Sequence, residues 1–397
     1  MATARLGPAY GRLWSATALA NLGDGIRNAA LPLLAAALTT DPVLVAGVAV
    51  AANLPWLVCG LLAGAVVDRV DRRKLIVVTD LARITLLATL IVSVALDAAA
   101  LPLLYVTAFA CGIGETLRDT AASTLVPQLV PSAEFDRANG RLVNAEVAGN
   151  ELIGPPLGGY LFGVAMVLPF AVNNGALAVA VVLILALPGA LTPVPAHSRS
   201  TLRADIAAGV RWLARHRQLR AVTALGAVLT LTDGAWFAIL VLYVTEVLGL
   251  PSAAYGLLLA AGAVGGLAGG GLAAWVLRHT GTAVTLIGTL VLAAAAQAAM
   301  GLTTAPVVTG LALAAGSFAF GVWNVGAVTL RQRVTAPELL GRVTSAYRTV
   351  AMGAVPVGAL LGGLLADAHG LRAPLLAGVP LLLVAAALGA RSLRAAG

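Results

Sequence analysis

The sequence predicts an all-α membrane protein of twelve transmembrane helices in two parallel six-helix repeats. Three observations predict it. The 397 residues are 60% hydrophobic and only 11% charged, whereas a soluble domain carries roughly a quarter charged residues because its surface faces water. Apolar runs of spanning length, about 20 residues each, recur along the whole chain; twelve of them take roughly 240 residues and leave short loops with one longer connection. The second half also repeats the first at a nearly constant offset.

The runs fall at 13–38, 43–67, 75–96, 101–125, 142–164, 167–190, 219–246, 252–277, 283–302, 306–330, 342–366 and 372–390. Pro42, Pro102, Pro251 and Pro306 stand where runs begin, a position where the missing N–H costs the helix nothing. The stretch 191–218 is the long connection. It opens with Thr192, Pro193, Pro195 and Ser198, then places Leu202, Ile206, Val210 and Leu213 at helical spacing among Arg203, Arg211 and Arg215. That pattern fits a helix lying on the membrane surface, with a flexible linker as the alternative. The expected division is a first bundle over 1–190, a cytoplasmic linker over 191–218 and a second bundle over 219–397.

Charge sets the orientation. Arg5 and Arg12 precede the first run, and the clusters at Arg69, Arg72, Arg73 and Lys74, at Arg137 and Arg141, from Arg199 to Arg220, and at Arg278, Arg331, Arg333, Arg342, Arg391 and Arg394 fall on the same side. The opposite loops hold Asp41, Asp97, Glu246, Asp367 and His369, with Arg372 alone basic. Basic loops stay in the cytoplasm, so both termini are expected there. The net charge of +8 is thus a topological signal. No aromatic-interleaved basic patch is present, and no nucleic-acid partner is expected. The 24 arginines against one lysine, with abundant alanine, fit a GC-rich bacterial genome, hence a bacterial cytoplasmic membrane. Cys59 and Cys111 lie in apolar runs without disulfide or metal spacing, and no metal or cofactor is expected.

The duplication is written in the residues that shape helices. A shift of 209 carries Asp24-Gly25 to Asp233-Gly234, Pro42 to Pro251, Gly47 to Gly256, Gly60 to Gly269 and Arg69 to Arg278. Further on, a shift of 204 carries Gln128 to Gln332, Glu134 to Glu338, and Gly149, Gly154, Gly158 and Gly159 to Gly353, Gly358, Gly362 and Gly363. Six spans per copy give both copies the same orientation, which makes them parallel repeats about an axis along the membrane normal.

Two motifs are candidates for more than structure, with a plain membrane anchor as the alternative for the first and packing alone as the alternative for the second. Gly64, Asp68, Arg69, Asp71, Arg72, Arg73 and Lys74 follow the second span, and an acid inside that basic cluster is unexpected for a plain membrane anchor. Asp68 at a helix end can accept from Arg69 or from a facing helix N-terminus, a latch closing the cytoplasmic side. In the fifth span, Gly149, Gly154, Pro155, Pro156, Gly158 and Gly159 combine glycines at packing distance with two residues that remove backbone donors. The first motif resembles the G-x-x-x-D-R-x-G-R-K/R loop of the major facilitator superfamily, departing from it at Asp71, where the family has glycine. The second resembles that superfamily's antiporter motif. The first-span Gly23-Asp24-Gly25, Leu54-Pro55-Trp56 and Val126-Pro127-Gln128-Leu129-Val130 resemble its bacterial drug and siderophore exporters, the enterobactin-exporter and macrolide-efflux group. The resemblance covers the full chain and implies export by alternating access.

An ionisable residue near the bilayer centre costs several kcal/mol unless paired or hydrated. Asp24, Glu115, Glu151 and Asp233 all fall near midspan at about 1.5 Å per residue, and Asp119 and Glu146 lie nearer the cytoplasmic side. Arg27 and Arg118 follow Asp24 and Glu115 by one turn and share their faces. Proton coupling is expected at Asp24, Glu115, Glu151 and Asp233, with Arg27 and Arg118 as charge partners; the alternative is permanent structural pairing. Gly64, Asp68, Arg69 and Arg73 form the expected cytoplasmic gate. Trp236, Phe237, Trp323 and Asn324 are candidates to line a cavity, with helix packing as the alternative. No G-x-x-x-x-G-K-[ST] nucleotide loop occurs, so an ion gradient is the expected energy source. The function expected is secondary active export of a small amphipathic or apolar molecule against protons, by a monomer in the lipid bilayer. An importer of the same fold and a membrane-embedded lipid-modifying enzyme are the rival readings.

Overall fold

The computed structural model describes residues 6–67, 70–187, 211–335 and 337–394, without the side chains of 56–66, 136, 337, 338, 341, 393 and 394. Asp68, Arg69 and most of the expected surface helix (191–210) lie outside the described residues. The surroundings of Gly64, within the second helix, also lie outside them.

Among the described residues the chain is helical, in twelve main segments beside a 3-10 turn at Ser132–Glu134 and a short helical stretch over 211–215. The first six are α1 Gly7–Leu38, α2 Pro42–Val67, α3 Arg72–Ala95, α4 Leu101–Leu129, a composite α5 and α6 Leu168–Leu185. The α5 segment runs Phe135–Val147, a π turn Ala148–Ile153, then Gly154–Val164. The next is α7, Arg217–Phe237 followed by Leu240–Val247 at a 46° bend. Then come α8 Ser252–Thr280, α9 Thr282–Leu302, α10 Pro306–Val334, α11 Pro337–His369 and α12 Ala373–Arg394. Seven of these are long and apolar enough to cross a membrane, eight with the bent α7. The segments that fall short are α1, α4 and α5, while α2 is apolar over its described part, Pro42–Pro55. Of these, α1 and α4 carry the charges Asp24, Arg27, Glu115, Arg118 and Asp119, and α5 is broken by its π turn.

Local chemistry explains the boundaries. Asp71, where the superfamily loop has glycine, caps α3: its carboxylate accepts from the Lys74 backbone N–H at 3.0 Å. Pro155 and Pro156 sit in the first turn of Gly154–Val164, where no intrahelical partner is lost. Gly281, at φ 78°, opens α9, a conformation that favours glycine.

The chain divides into two compact units. One comprises 1–39, 51–197 and 251–260; the other comprises 40–50, 198–250 and 261–397. Within the first, α1 packs on α5 and α6, and α3 packs on α4 and α6. Within the second, α7 packs on α11 and α12, and α9 on α10 and α12. Each pairing in one unit has its counterpart six helices later in the other. The agreement extends to atoms: Gly158 lies against the Ile26 carbonyl, and Gly362 against the Ala235 carbonyl, both positions related by the sequence offsets. Small residues here set backbone-to-backbone approach, which drives helix association where the solvent is lipid. The units differ in what fills them. The second is built around Leu225, Leu229, Leu286, Leu290, Trp323, Tyr347 and Leu382. The first holds charges.

Candidate functional site

In the first unit, α1, α3 and α4 each carry an acid followed three residues later by an arginine: Asp24 and Arg27, Asp80 and Arg83, Glu115 and Arg118. Three-residue spacing puts each pair on one helix face. Packing then links the three faces into a single alternating chain. Arg118 Nε donates to Asp80 at 3.0 and 3.1 Å. Asp80 meets Arg83 at 3.5 Å, an ion pair longer than a hydrogen bond. Arg83 Nη2 donates to Asp24. Arg27 Nη1 donates to Asp24 at 2.9 Å, and its Nη2 to Glu115 at 2.8 Å. Three acids face three bases, so the chain is neutral. Five members are at most 2% exposed, while Glu115, one of its two ends, is 15% exposed.

Its surroundings are shaped to hold it. The Arg118 Nη2 also donates to the Ala16 carbonyl at 3.0 Å, and the Asn173 amide of α6 donates to Asp24 at 3.4 Å. Gly114 provides the lane along which Arg83 runs: a Cβ there would come 2.9 Å from Arg83 Cγ. Gly23 likewise leaves room for the Asn173 amide. Beside the chain, Asn150 donates to Asn21 at 2.8 Å, and Asn21 donates to the Thr17 carbonyl at 2.9 Å. Buried ions are tolerated only when paired and hydrogen-bonded in this way.

The structure therefore brings Asp24, Arg27, Glu115 and Arg118 together, with one correction. Glu115 and Arg118 are not partners; they are the two ends of the chain, because each finds an opposite charge on a neighbouring helix at hydrogen-bonding distance. Asp80 and Arg83 were not among the expected site residues. Their signal was available: an acid and a base three apart inside an apolar span, repeating the spacing of the other two pairs. Asp119 is half-buried, and Glu146 and Glu151 are exposed outside the chain. Asp233 lies in the second unit, where Trp236 Nε1 donates to it at 3.2 Å.

The motif residues are placed as follows. A Cβ on Gly149 would come 2.7 Å from the Leu22 nitrogen, and Gly154 lies on Gly25, so both seat α5 on α1. Pro155 is buried. Gly159 faces the Ser252 carbonyl, within the compact unit that includes 251–260. Arg73 donates to the Leu185 carbonyl and Arg12 to that of Ala186 at 3.0 Å. Both thus cap the last turn of α6, where orphan carbonyls and the negative dipole end favour cations. Trp236 and Phe237 meet edge to face at 5.6 Å. Trp323 lies in the second unit's core with Nε1 3.3 Å from the Tyr347 hydroxyl. Asn324 is exposed and lines a groove of about 440 Å³ with Gly266, Gly270 and Gly321.

A family model described as transmembrane secretion effector matches residues 6–395. The chain belongs to that family of the major facilitator superfamily. Among relatives, an uncharacterized MFS-type transporter of Sinorhizobium fredii is 30% identical, covering 90% of this chain and 88% of its own length. A multidrug efflux pump, Tap, of Mycolicibacterium fortuitum is 28% identical, covering 92% and 91%. Solved structures show the same fold. The nucleoside transporter NupG aligns with TM-score 0.78 at 11% identity over 98% of this chain and 100% of its own. A bacterial homologue of the iron transporter ferroportin, in an inward-facing state, aligns with TM-score 0.73 at 18% identity over 96% and 98%. The chain is thus a multi-pass membrane transporter.

Proposed function

We propose that this protein exports a small amphipathic or apolar molecule by proton antiport through alternating access, with both termini in the cytoplasm. Relatives named as multidrug efflux pumps support export. The observation that carries proton coupling is the neutral six-member chain and its one partly exposed end. Glu115 has a single ion-pair partner and the greatest exposure in the chain, so it is where a proton exchanges at least cost. Protonating Glu115 leaves Arg27 shared with Asp24 alone and leaves the buried chain one positive charge in excess. An uncompensated buried charge costs several kcal/mol, and hydration of that end relieves it. Proton uptake thus favours a conformation in which α1 and α4 admit water, and proton release favours the dry one. Asp24 feels the change through Arg27, the guanidinium it shares with Glu115.

Inverted membrane vesicles with an imposed pH gradient test this reading. Substrate accumulation in the vesicle lumen that collapses on adding a protonophore is the expected result. Accumulation indifferent to the protonophore overturns proton coupling, and efflux from the lumen would mark an importer.

A further inference from the structure

The first turns of α1 and the start of α5 enclose a groove, away from the buried charge chain. It holds about 490 Å³ and is lined by Gly7, Tyr10, Gly11 and Trp14 of α1 and by Arg137 and Arg141 of α5, all within the first compact unit. Two hydrogen bonds fix its walls. The Tyr10 hydroxyl donates to the Ala138 carbonyl at 2.8 Å, and Trp14 Nε1 donates to the Arg141 carbonyl at 3.1 Å. A Cβ on Gly11 would meet nothing within 4 Å, so packing does not require glycine there and the space is open.

The groove is positive. Arg137 and Arg141 stand one turn apart on one face of Phe135–Val147, while Ala138, Leu142 and Ala145 of the same segment are buried. Arg137 pairs with Glu134 at 3.5 Å. Among the described residues no acid forms an ion pair with Arg141. The first turn of α1 has no acid and no side-chain cap, so its unpaired N–H groups add to the positive potential.

Depth in the membrane narrows the ligand. The 32 residues of α1 run about 48 Å, against a hydrocarbon core of about 30 Å. Centred on the bilayer, the helix puts Trp14 about 13 Å and Gly7 about 23 Å from the midplane, so the groove spans the headgroup layer. Trp14 is 39% exposed, as suits an indole at the membrane interface.

We propose that this groove binds one anionic phospholipid, with its phosphodiester held by Arg137 and Arg141 and its glycerol backbone lying along Gly11 and Trp14. Basic pockets between membrane helices take such headgroups. A free phosphate would meet only exposed guanidiniums, where ion pairs are weak; the lipid also fills the space beside the indole. The bound lipid bridges α1, which carries Asp24 and Arg27, to α5. The site depends neither on the direction of transport nor on the coupling ion.

Native mass spectrometry of the purified full-length protein counts bound lipids and tests the site. The probes are dioleoylphosphatidylglycerol, the zwitterionic dioleoylphosphatidylcholine and inorganic phosphate. The wild type is expected to bind one phosphatidylglycerol at least tenfold more tightly than phosphatidylcholine and to retain no phosphate. Arg137→Gln with Arg141→Gln is expected to weaken phosphatidylglycerol binding roughly tenfold or more. Arg333→Gln with Arg391→Gln removes two exposed arginines outside the groove and should leave it unchanged. Gly11→Phe keeps every charge, fills the open space and is expected to cause a comparable loss; it carries the test should the Arg137 and Arg141 variant fail to fold. Equal affinity for the two lipids overturns the site, as does undiminished phosphatidylglycerol binding in either groove variant or an equal loss in the Arg333 and Arg391 variant. Retained phosphate without a preference between the lipids marks a site for free anions and overturns the lipid assignment.

Discussion

Arg83 sits between two acids, reaching Asp24 on α1 and Asp80 on its own helix. Removing it leaves Asp24 with Arg27 alone and Asp80 with Arg118 alone, and the buried chain with one negative charge in excess, a loss of about 3–5 kcal/mol. Arg83→Met is therefore expected to lower the melting temperature of the detergent-solubilised protein. Adding Asp24→Asn should recover part of the loss, giving a coupling energy of about 0.5–3 kcal/mol in a double-mutant cycle. Strict additivity would show that the two residues do not interact. At this scale the sequence was partly legible. Acids at midspan announce themselves because lipid penalises them, so Asp24 and Glu115 stood out. Asp80 and Arg83 did not, since they lie in α3, one of the segments apolar enough to read as an ordinary span. The partner of Glu115 was not legible at all. Spacing along a helix gives the face, while the choice between Arg118 and Arg27 depends on how closely α1 and α4 approach.

The glycines of α5 and α11 act on whole elements. Gly158 and Gly362 each face a backbone carbonyl of the helix they pack against, Ile26 on α1 and Ala235 on α7. A backbone atom cannot move aside as a side-chain tip can, so a larger residue must push the helices apart. Gly158→Val and Gly362→Val are expected to cost about 3 kcal/mol each, the upper end of overpacking, seen as reduced thermal stability. Gly140→Val, on α5 with open space around its Cβ position, is the control and should be far milder. Equal effects at all three positions would remove the packing role. This part of the fold was readable from the sequence because the offsets of 209 and 204 align glycines, and glycine has few reasons other than close approach to persist inside a helix. The π turn at Ala148–Ile153 was not readable. It depends on where α1 crosses α5, with Gly25 fitting against the Gly149 and Asn150 backbone.

Across the whole molecule, the duplication supplies one helix-pairing scheme twice, and chemistry then distinguishes the copies. The first unit holds an alternating chain of three acids and three bases; the second holds an apolar core and, at the position matching Asp24, the acid Asp233, with Trp236 where the first copy has Arg27. Scaffold residues constrain shape in both copies, whereas charges are costly in lipid and persist where a function uses them. In the proposed mechanism, protonation of Glu115, felt at Asp24 through the Arg27 guanidinium that both acids share, drives export. It is tested most directly in proteoliposomes holding Glu115→Gln or Asp24→Asn, by comparing two activities of the same preparation. Substrate counterflow needs a folded, moving carrier but no proton, whereas uphill accumulation needs the coupling. Counterflow is expected to persist in both variants while accumulation driven by a pH gradient is lost. Accumulation at the wild-type level in either variant would contradict it.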